Sequence, residues 1–238
     1  ALSVTFKKQK LKYNEGYKIM KTLSKAIAIA SLVSASALTA QVAQAEVEVS
    51  KSAAVSNMYL WRGTDLSGPS GVPAVSGDLQ VSMSGAYAGV WASSGDTTNG
   101  NEYDLYVGYG LEAGGVSIDA SVWTYIYPTA ATNDNSEGDL TELVVGLGYG
   151  DASFTIYEPL TSNADDYSYM TLGYGMGDVS ATVGISTSDA AASDYTHVDV
   201  SYAATENLSF TYSQVVAQDV DGTVDDSGKV AVSLSLPL

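Results

Sequence analysis

From about Val47 to Leu238 the chain alternates apolar and polar residues in segments of about nine to eleven positions, the length of a tilted strand that crosses a bilayer. Val116, Ile118, Ala120, Val122 and Ile126 share one face, and Ser117, Asp119, Ser121, Trp123 and Tyr125 the other. Val179, Ala181, Val183 and Ile185 oppose Ser180, Thr182, Gly184 and Ser186. Val230, Val232, Leu234 and Leu236 oppose Ala231, Ser233 and Ser235. A period of two predicts strands with one apolar face.

The joints between segments alternate short and long. Ser84-Gly85, Gly114-Gly115, Gly150-Asp151, Gly177-Asp178 and Thr205-Glu206 are short. Long ones lie near 61–72, 93–101, 128–138, 159–166, 187–194 and 218–227. These joints separate twelve segments. The pattern predicts an all-β fold: a transmembrane up-and-down antiparallel β-barrel of about 12 strands, with tight turns at one end and longer loops at the other. A secreted β-sandwich is the alternative, since it too has one apolar and one polar face. A sandwich has no reason to sort its loops by length.

Aromatic placement favours the barrel. Tyr109, Tyr149, Tyr174 and Tyr202 each fall near a short turn. Tyr59, Trp61, Trp91, Tyr103, Tyr127, Tyr157, Tyr167 and Tyr195 gather near the long loops. Two aromatic girdles are expected at the two membrane interfaces. The polar face is small, with Gly108, Gly146, Gly173, Gly184 and many serines. It suits a lumen better than a solvated outer face.

Met20 begins a secretory signal. Lys21 and Lys25 precede an apolar stretch from Ala26 to about Ala40, and Ala43-Gln44-Ala45 offers a small-x-small cleavage site. The reading divides the chain into an upstream extension (1–19), a signal peptide (20–45) and an outer-membrane barrel (46–238). A functional basic leader is the alternative for 1–19. No apolar run after Ala45 reaches the roughly 18 residues of a spanning helix, and cysteine is absent.

Charge narrows the partners. After Ala45 the only bases are Lys51, Arg62 and Lys229, against all but one of the 27 acidic residues. Nucleic-acid binding needs Lys and Arg to neutralise phosphates and is disfavoured. The acids suit solvated loops, with divalent-cation bridging to lipopolysaccharide as a sharper alternative.

Tyr59-Leu-Trp-Arg-Gly-Thr-Asp65, Val72-Pro-Ala-Val-Ser-Gly-Asp78 and Gly85-Ala-Tyr-Ala-Gly-Val-Trp-Ala-Ser93 together resemble the TorF family of proteobacterial porins. That family opens with Tyr-x-Phe-Arg-Gly, Pro-Ala-x-x-Gly and Gly-x-Tyr-x-Gly-x-Trp-x-Ser elements. Glu102 to Tyr109 looks like its next strand. The match covers about the first third of the chain after Ala45. Trp61 stands where Phe is usual, and Leu66-Ser67 where Ser-Gln is common. The resemblance implies an outer-membrane barrel of porin type and carries over no catalytic residue.

Parity places Asp78, Asp104, Asp119, Glu142, His197 and Asp199 on the lumen face, with Lys229 among the few inward bases. Rings of carboxylates favour cations. Alternatively, these acids bond to Tyr106, Tyr125 and serines and fill the lumen. Arg62 is expected to pair with a nearby carboxylate such as Asp65, or to form a constriction if its loop folds into the pore. His197 is the sole histidine; it reads as a polar lining group, and a lipid-modifying hydrolase built on it would need a serine beside it at the lipid interface. No metal or cofactor site is expected: one His and no Cys argue against zinc or copper, and the acidic run at 219–226 lacks EF-hand spacing.

The sequence therefore predicts a porin-like channel in a Gram-negative outer membrane, exported by a cleaved signal. It would pass small solutes or ions with a cation preference. Its partners would be outer-membrane lipid, lipopolysaccharide and the barrel-assembly machinery. A non-conducting structural or surface-interaction barrel with acidic loops is the alternative, and a lipid-modifying enzyme the third reading.

Overall fold

A computed structural model describes residues 47–69, 71–129, 140–161, 163 and 165–238. The predicted leader and the acidic run from Asn133 to Asp139 lie outside the described residues. The strands are β1 (Glu48–Ser56), β2 (Leu60–Trp61), β3 (Thr64–Asp65), β4 (Ala74–Met83), β5 (Ala86–Asp96), β6 (Gly100–Ala113) and β7 (Val116–Ile126). They continue as β8 (Leu140–Tyr149), β9 (Ala152–Pro159), β10 (Ser168–Met176), β11 (Val179–Thr187), β12 (Tyr195–Ala203), β13 (Leu208–Gln218) and β14 (Lys229–Ser235). Twelve of them, β1 and β4 to β14, form one closed antiparallel barrel in sequence order, and β2 and β3 form a separate minimal hairpin. The twelve segments of the alternation pattern are the twelve barrel strands.

The tight turns fall where glycine permits them. Ser84 and Gly85 both have positive φ (52° and 88°), as do Gly114 and Gly115 (64° and 81°); two-residue hairpins of this hand match the twist of the strands they join. The connection after Ala203 is longer, running to Leu208, whose carbonyl accepts from the Ala204 and Thr205 amides. One expected long loop is short. β5 and β6 extend to Asp96 and Gly100 through a register shift, with Gly95 at φ 99°. Asp96 closes the remaining turn by accepting from the Thr98 and Asn99 amides at 2.8 and 2.9 Å.

Alternation sorts side chains between the two sides of the wall. Leu79, Val81, Met83, Leu105, Val107, Leu172, Met176 and Val230 are exposed on the outside. The inner side buries Glu102, Asp104, Asp119, Ser121, Glu142, Thr155, His197 and Ser213. Glycines opposite inward rings make room for them. A Cβ at Gly89 would overlap the Tyr106 ring, and one at Gly108 the Tyr87 ring. The two pairs are direct cross-strand neighbours, Tyr87 with Gly108 and Gly89 with Tyr106.

The ring closes between first and last strand through only three ladder positions, Ala54 to Ser56 against Ser235 to Ser233. Asn57 lengthens this seam with its side chain. Its Nδ2 donates to the Val230 carbonyl at 3.0 Å, and its Oδ1 accepts from the Val232 amide at 2.6 Å. The carboxamide thus acts as one more peptide group where the ladder ends.

Candidate functional site: the occupied lumen

The described residues of the first long loop, 57–69 and 71–73, do not stand outside the barrel. The loop folds inward and carries the β2–β3 hairpin into the lumen. Arg62 and Gly63 are its two central residues, at φ 47° and 80°. A two-residue turn of this hand needs positive φ at both positions, and Arg is a strained occupant of the first. Within the loop the Leu66 amide donates to the Tyr59 carbonyl at 2.8 Å, the Tyr59 amide to Ser67 Oγ at 2.6 Å, and the Ser67 amide to Asp65 Oδ1 at 2.9 Å. Thr97 ties the loop to the β5–β6 turn, its amide donating to the Leu66 carbonyl at 3.0 Å.

Arg62 is the centre of the contact with the wall. Its Nη2 donates to Glu142 Oε2 at 2.6 Å, with the two side chains 5% and 0% exposed. Its Nη1 donates to Tyr167 Oη at 2.9 Å. The guanidinium carbon lies 4.4 Å from the Trp61 ring centroid, 4.6 Å from that of Tyr169 and 4.8 Å from that of Tyr157, within cation–π range of all three. Burial works against the Arg62 charge, but the Glu142 carboxylate together with Tyr167 and Tyr125 outweighs it and holds the guanidinium above its ordinary pKa. The same carboxylate oxygen accepts from Tyr125 Oη at 2.8 Å.

Two further clamps hold the loop. Tyr195 Oη donates to the Arg62 carbonyl at 2.9 Å. Tyr59 and Tyr127 donate to the two oxygens of Glu102 at 2.5 and 3.0 Å. Burial, followed by the charge of Glu102, raises the Tyr59 and Tyr127 hydroxyl pKa values, so both remain donors. Gly63 rests against His197 so closely that a Cβ there would overlap the imidazole.

The predicted lumen residues all lie on the inner side. Asp78 accepts from Tyr106 Oη at 2.7 Å, and both oxygens of Asp119 lie 2.8 Å from Tyr87 Oη. Asp104 is buried beside Glu102, and its Oδ1 has no hydrogen-bond partner among the described residues. His197 is 1% exposed; its Nδ1 lies 3.0 Å from Asp199 Oδ1 and its Nε2 lies 2.7 Å from Tyr169 Oη. An Nδ1–H donor to Asp199 and an Nε2 acceptor from Tyr169 satisfy both contacts. Neither nitrogen faces a serine hydroxyl, and the ring is inside the wall rather than at an outer interface. Lys229 is also buried, donating to the carbonyls of Asp225 and Ser227 at 2.8 and 3.1 Å.

Three expectations need correction. Arg62 pairs with Glu142, far along the chain, and not with Asp65, which is engaged by the Ser67 amide. Trp91 is not a girdle residue. On the ladder it sits directly between Asp78 and Asp104, facing inward, with its ring 6.0 Å from Tyr59. Trp61 is not one either, because it rides on the inward hairpin beneath Arg62. Tyr103 is exposed on the outside, whereas Tyr59, Tyr127, Tyr157, Tyr167 and Tyr195 turn toward the loop. At the other end Tyr109, Tyr149, Tyr174 and Tyr202 are exposed on the outer surface.

Glu102 was missed among the inward acids, although it shares parity with Asp104 and Tyr106. Trp91 was readable the same way, since Tyr87, Gly89, Trp91 and Ser93 form the polar face of β5. Nothing local decides between the two expectations for Arg62, a pair with Asp65 or a loop folded into the pore; the structure has the loop inside, and the one clue is an Arg-Gly dipeptide where Asn-Gly would be the relaxed choice.

One match to known proteins takes in the inserted loop and all of the barrel but the end of β14. A model for a family described as a bacterial protein of unknown function (Gcw_chp) matches residues 40–233. The chain belongs to the Gcw_chp family. No curated protein matches it. The Gcw_chp match runs from before β1 into β14, so it takes in the inserted hairpin, Glu142 and every aromatic wall around Arg62.

Proposed function

We propose that this Gcw_chp barrel sits in a bacterial outer membrane and passes small solutes through a lumen narrowed by its first loop. The observation that carries the reading is the sorting of the wall: an apolar exterior with outward tyrosines at the short-turn end, around a carboxylate-rich interior. In hydrocarbon every backbone polar group must be paired within the protein, which a closed barrel achieves. The resemblance of residues 59–109 to TorF porins supports the same role.

Inside, Asp78, Glu102, Asp104, Asp119, Glu142 and Asp199 outnumber Arg62 and Lys229, so the pore should prefer cations. Its contacts would be with outer-membrane lipid and lipopolysaccharide outside, and with small ions or solutes within. The test is single-channel conductance of residues 46–238 refolded into a planar bilayer under a salt gradient. Small, stable steps with cation preference are expected. Anion preference would keep the pore and overturn the carboxylate account. A non-conducting structural barrel is the second reading. The inward tyrosines favour it, for Tyr106 stacks on Trp123 at 4.2 Å and the rings of Tyr87 and Tyr106 meet edge to face. Insertion without any conductance, in the wild type and in Arg62→Ala alike, would decide for that reading.

A further inference from the structure

The wall around Arg62 has the form of a binding site with a side chain of the same protein as its occupant. Tyr157 and Tyr169 present ring faces to the guanidinium, Tyr167 supplies a hydroxyl acceptor, and Glu142 supplies the counter-charge. All four belong to β8, β9, β10 and the loop before β10, and none belongs to the inserted loop. The loop contributes only the occupant and Trp61.

Two observations separate this arrangement from a plain latch. First, Arg62 reaches its place at a cost to its backbone, since a non-glycine residue at φ 47° is strained. Second, the fit is incomplete. Arg62 engages Glu142 through Oε2 alone, while Glu142 Oε1 is fully buried with no partner among the described residues. A carboxylate commonly receives a guanidinium through both oxygens. A tethered arginine at a tight turn is not free to take that geometry, whereas an untethered ion is.

We infer that Glu142, Tyr157, Tyr167 and Tyr169 form a recognition site for a solute bearing a guanidinium group, and that Arg62 is a built-in competitor which leaves when the first loop withdraws. The inference rests on the passage reading above and names the solute class for it. A planar ion fits between ring faces and forks onto a carboxylate. An alkylammonium lacks the plane and the fork, so it should bind more weakly. The hairpin that carries the occupant ladders only with itself, Leu60 with Asp65 and Trp61 with Thr64, so it can withdraw without opening a strand pair of the wall; the contacts to break are those of Arg62, Tyr59 and Leu66.

The test is a titration of the full chain, refolded in detergent, with methylguanidinium, methylammonium or sodium chloride in the millimolar range. Thermal unfolding and tryptophan fluorescence are the readouts. Arg62→Ala should be stabilised by methylguanidinium at a concentration at least about tenfold below that needed for methylammonium. The wild type, already occupied, should not respond. Arg62→Ala with Glu142→Gln should lose the response. Equal responses to the two organic cations, or a response that survives Glu142→Gln, would overturn the assignment. If Arg62→Ala does not refold alone, methylguanidinium in the refolding buffer should restore the barrel's heat-modifiable mobility, and failure to do so would also overturn it. Because the readout is binding, a barrel that takes methylguanidinium yet never conducts would sink the pore reading and leave the site standing.

Discussion

Arg62 Nη2 lies 2.6 Å from Glu142 Oε2, across a sequence separation of 80 residues. This contact joins the inserted loop to β8, the sixth barrel strand, in a place sheltered from water. Removing one partner of a buried pair leaves the other charge uncompensated, at about 3–5 kcal/mol. Arg62→Ala should therefore lower the urea midpoint of the folded barrel. The double variant with Glu142→Gln should lose less than the two single losses added together. Additive losses would mean that the two side chains are not coupled.

Gly63 has no room for a side chain and no relaxed backbone for one. Gly63→Ala should strain a φ of 80° and push against the His197 ring. We expect about 1–3 kcal/mol of destabilisation, confined to the loop. Hydrogen exchange at the Leu66 and Thr97 amides should accelerate while the barrel amides keep their protection. Unchanged exchange at those two amides would show that the loop does not depend on this approach.

Asn57 is expected to matter beyond its exposed position. Asn57→Ala removes a donor to the Val230 carbonyl and an acceptor from the Val232 amide. Both bonds are exposed, so each is worth about 0.5–1.5 kcal/mol. Exchange of the Val232 amide should rise first, ahead of amides on the far side of the barrel. Asn57→Asp, which keeps the acceptor, should spare that amide and lose only the bond to Val230.

Asp225 gives the last loop a pH response. Its carboxylate accepts from Ser227 Oγ at 2.9 Å and from the Ser227 amide at 3.0 Å, and these bonds, with Lys229 nearby, lower its pKa below the usual value. A carboxylate with a depressed folded pKa stabilises the fold above the unfolded value of about 3.9 and loses that contribution as pH falls through the lower folded value. The Asp225 carboxyl signal should therefore titrate below the ordinary aspartate midpoint in NMR. Ser227→Ala should move it back up.

Much of the fold was legible in single residues. The period of two named the strands, and Ser84-Gly85 and Gly114-Gly115 marked turns whose chemistry is local. Parity placed Asp78, Asp104, Asp119, Glu142, His197 and Asp199 on the inner side, because a strand has only two faces. The same rule places Glu102 and Trp91 on the inner side. Arg62 resisted it. Its partner is set by where the loop travels after leaving β1, and parity has nothing to say about a loop.

What the sequence by itself determined is the wall: twelve strands, their order, their turns and the side each residue faces. These follow from steric rules acting over a few neighbouring residues. Only the tertiary structure decided what fills the wall. Tyr59, Arg62, Glu102, Glu142, Tyr157, Tyr169 and His197 come from distant segments and meet because the barrel closes and one loop turns inside it. Their contacts depend on distances across the lumen, and those distances do not exist until the ring is shut.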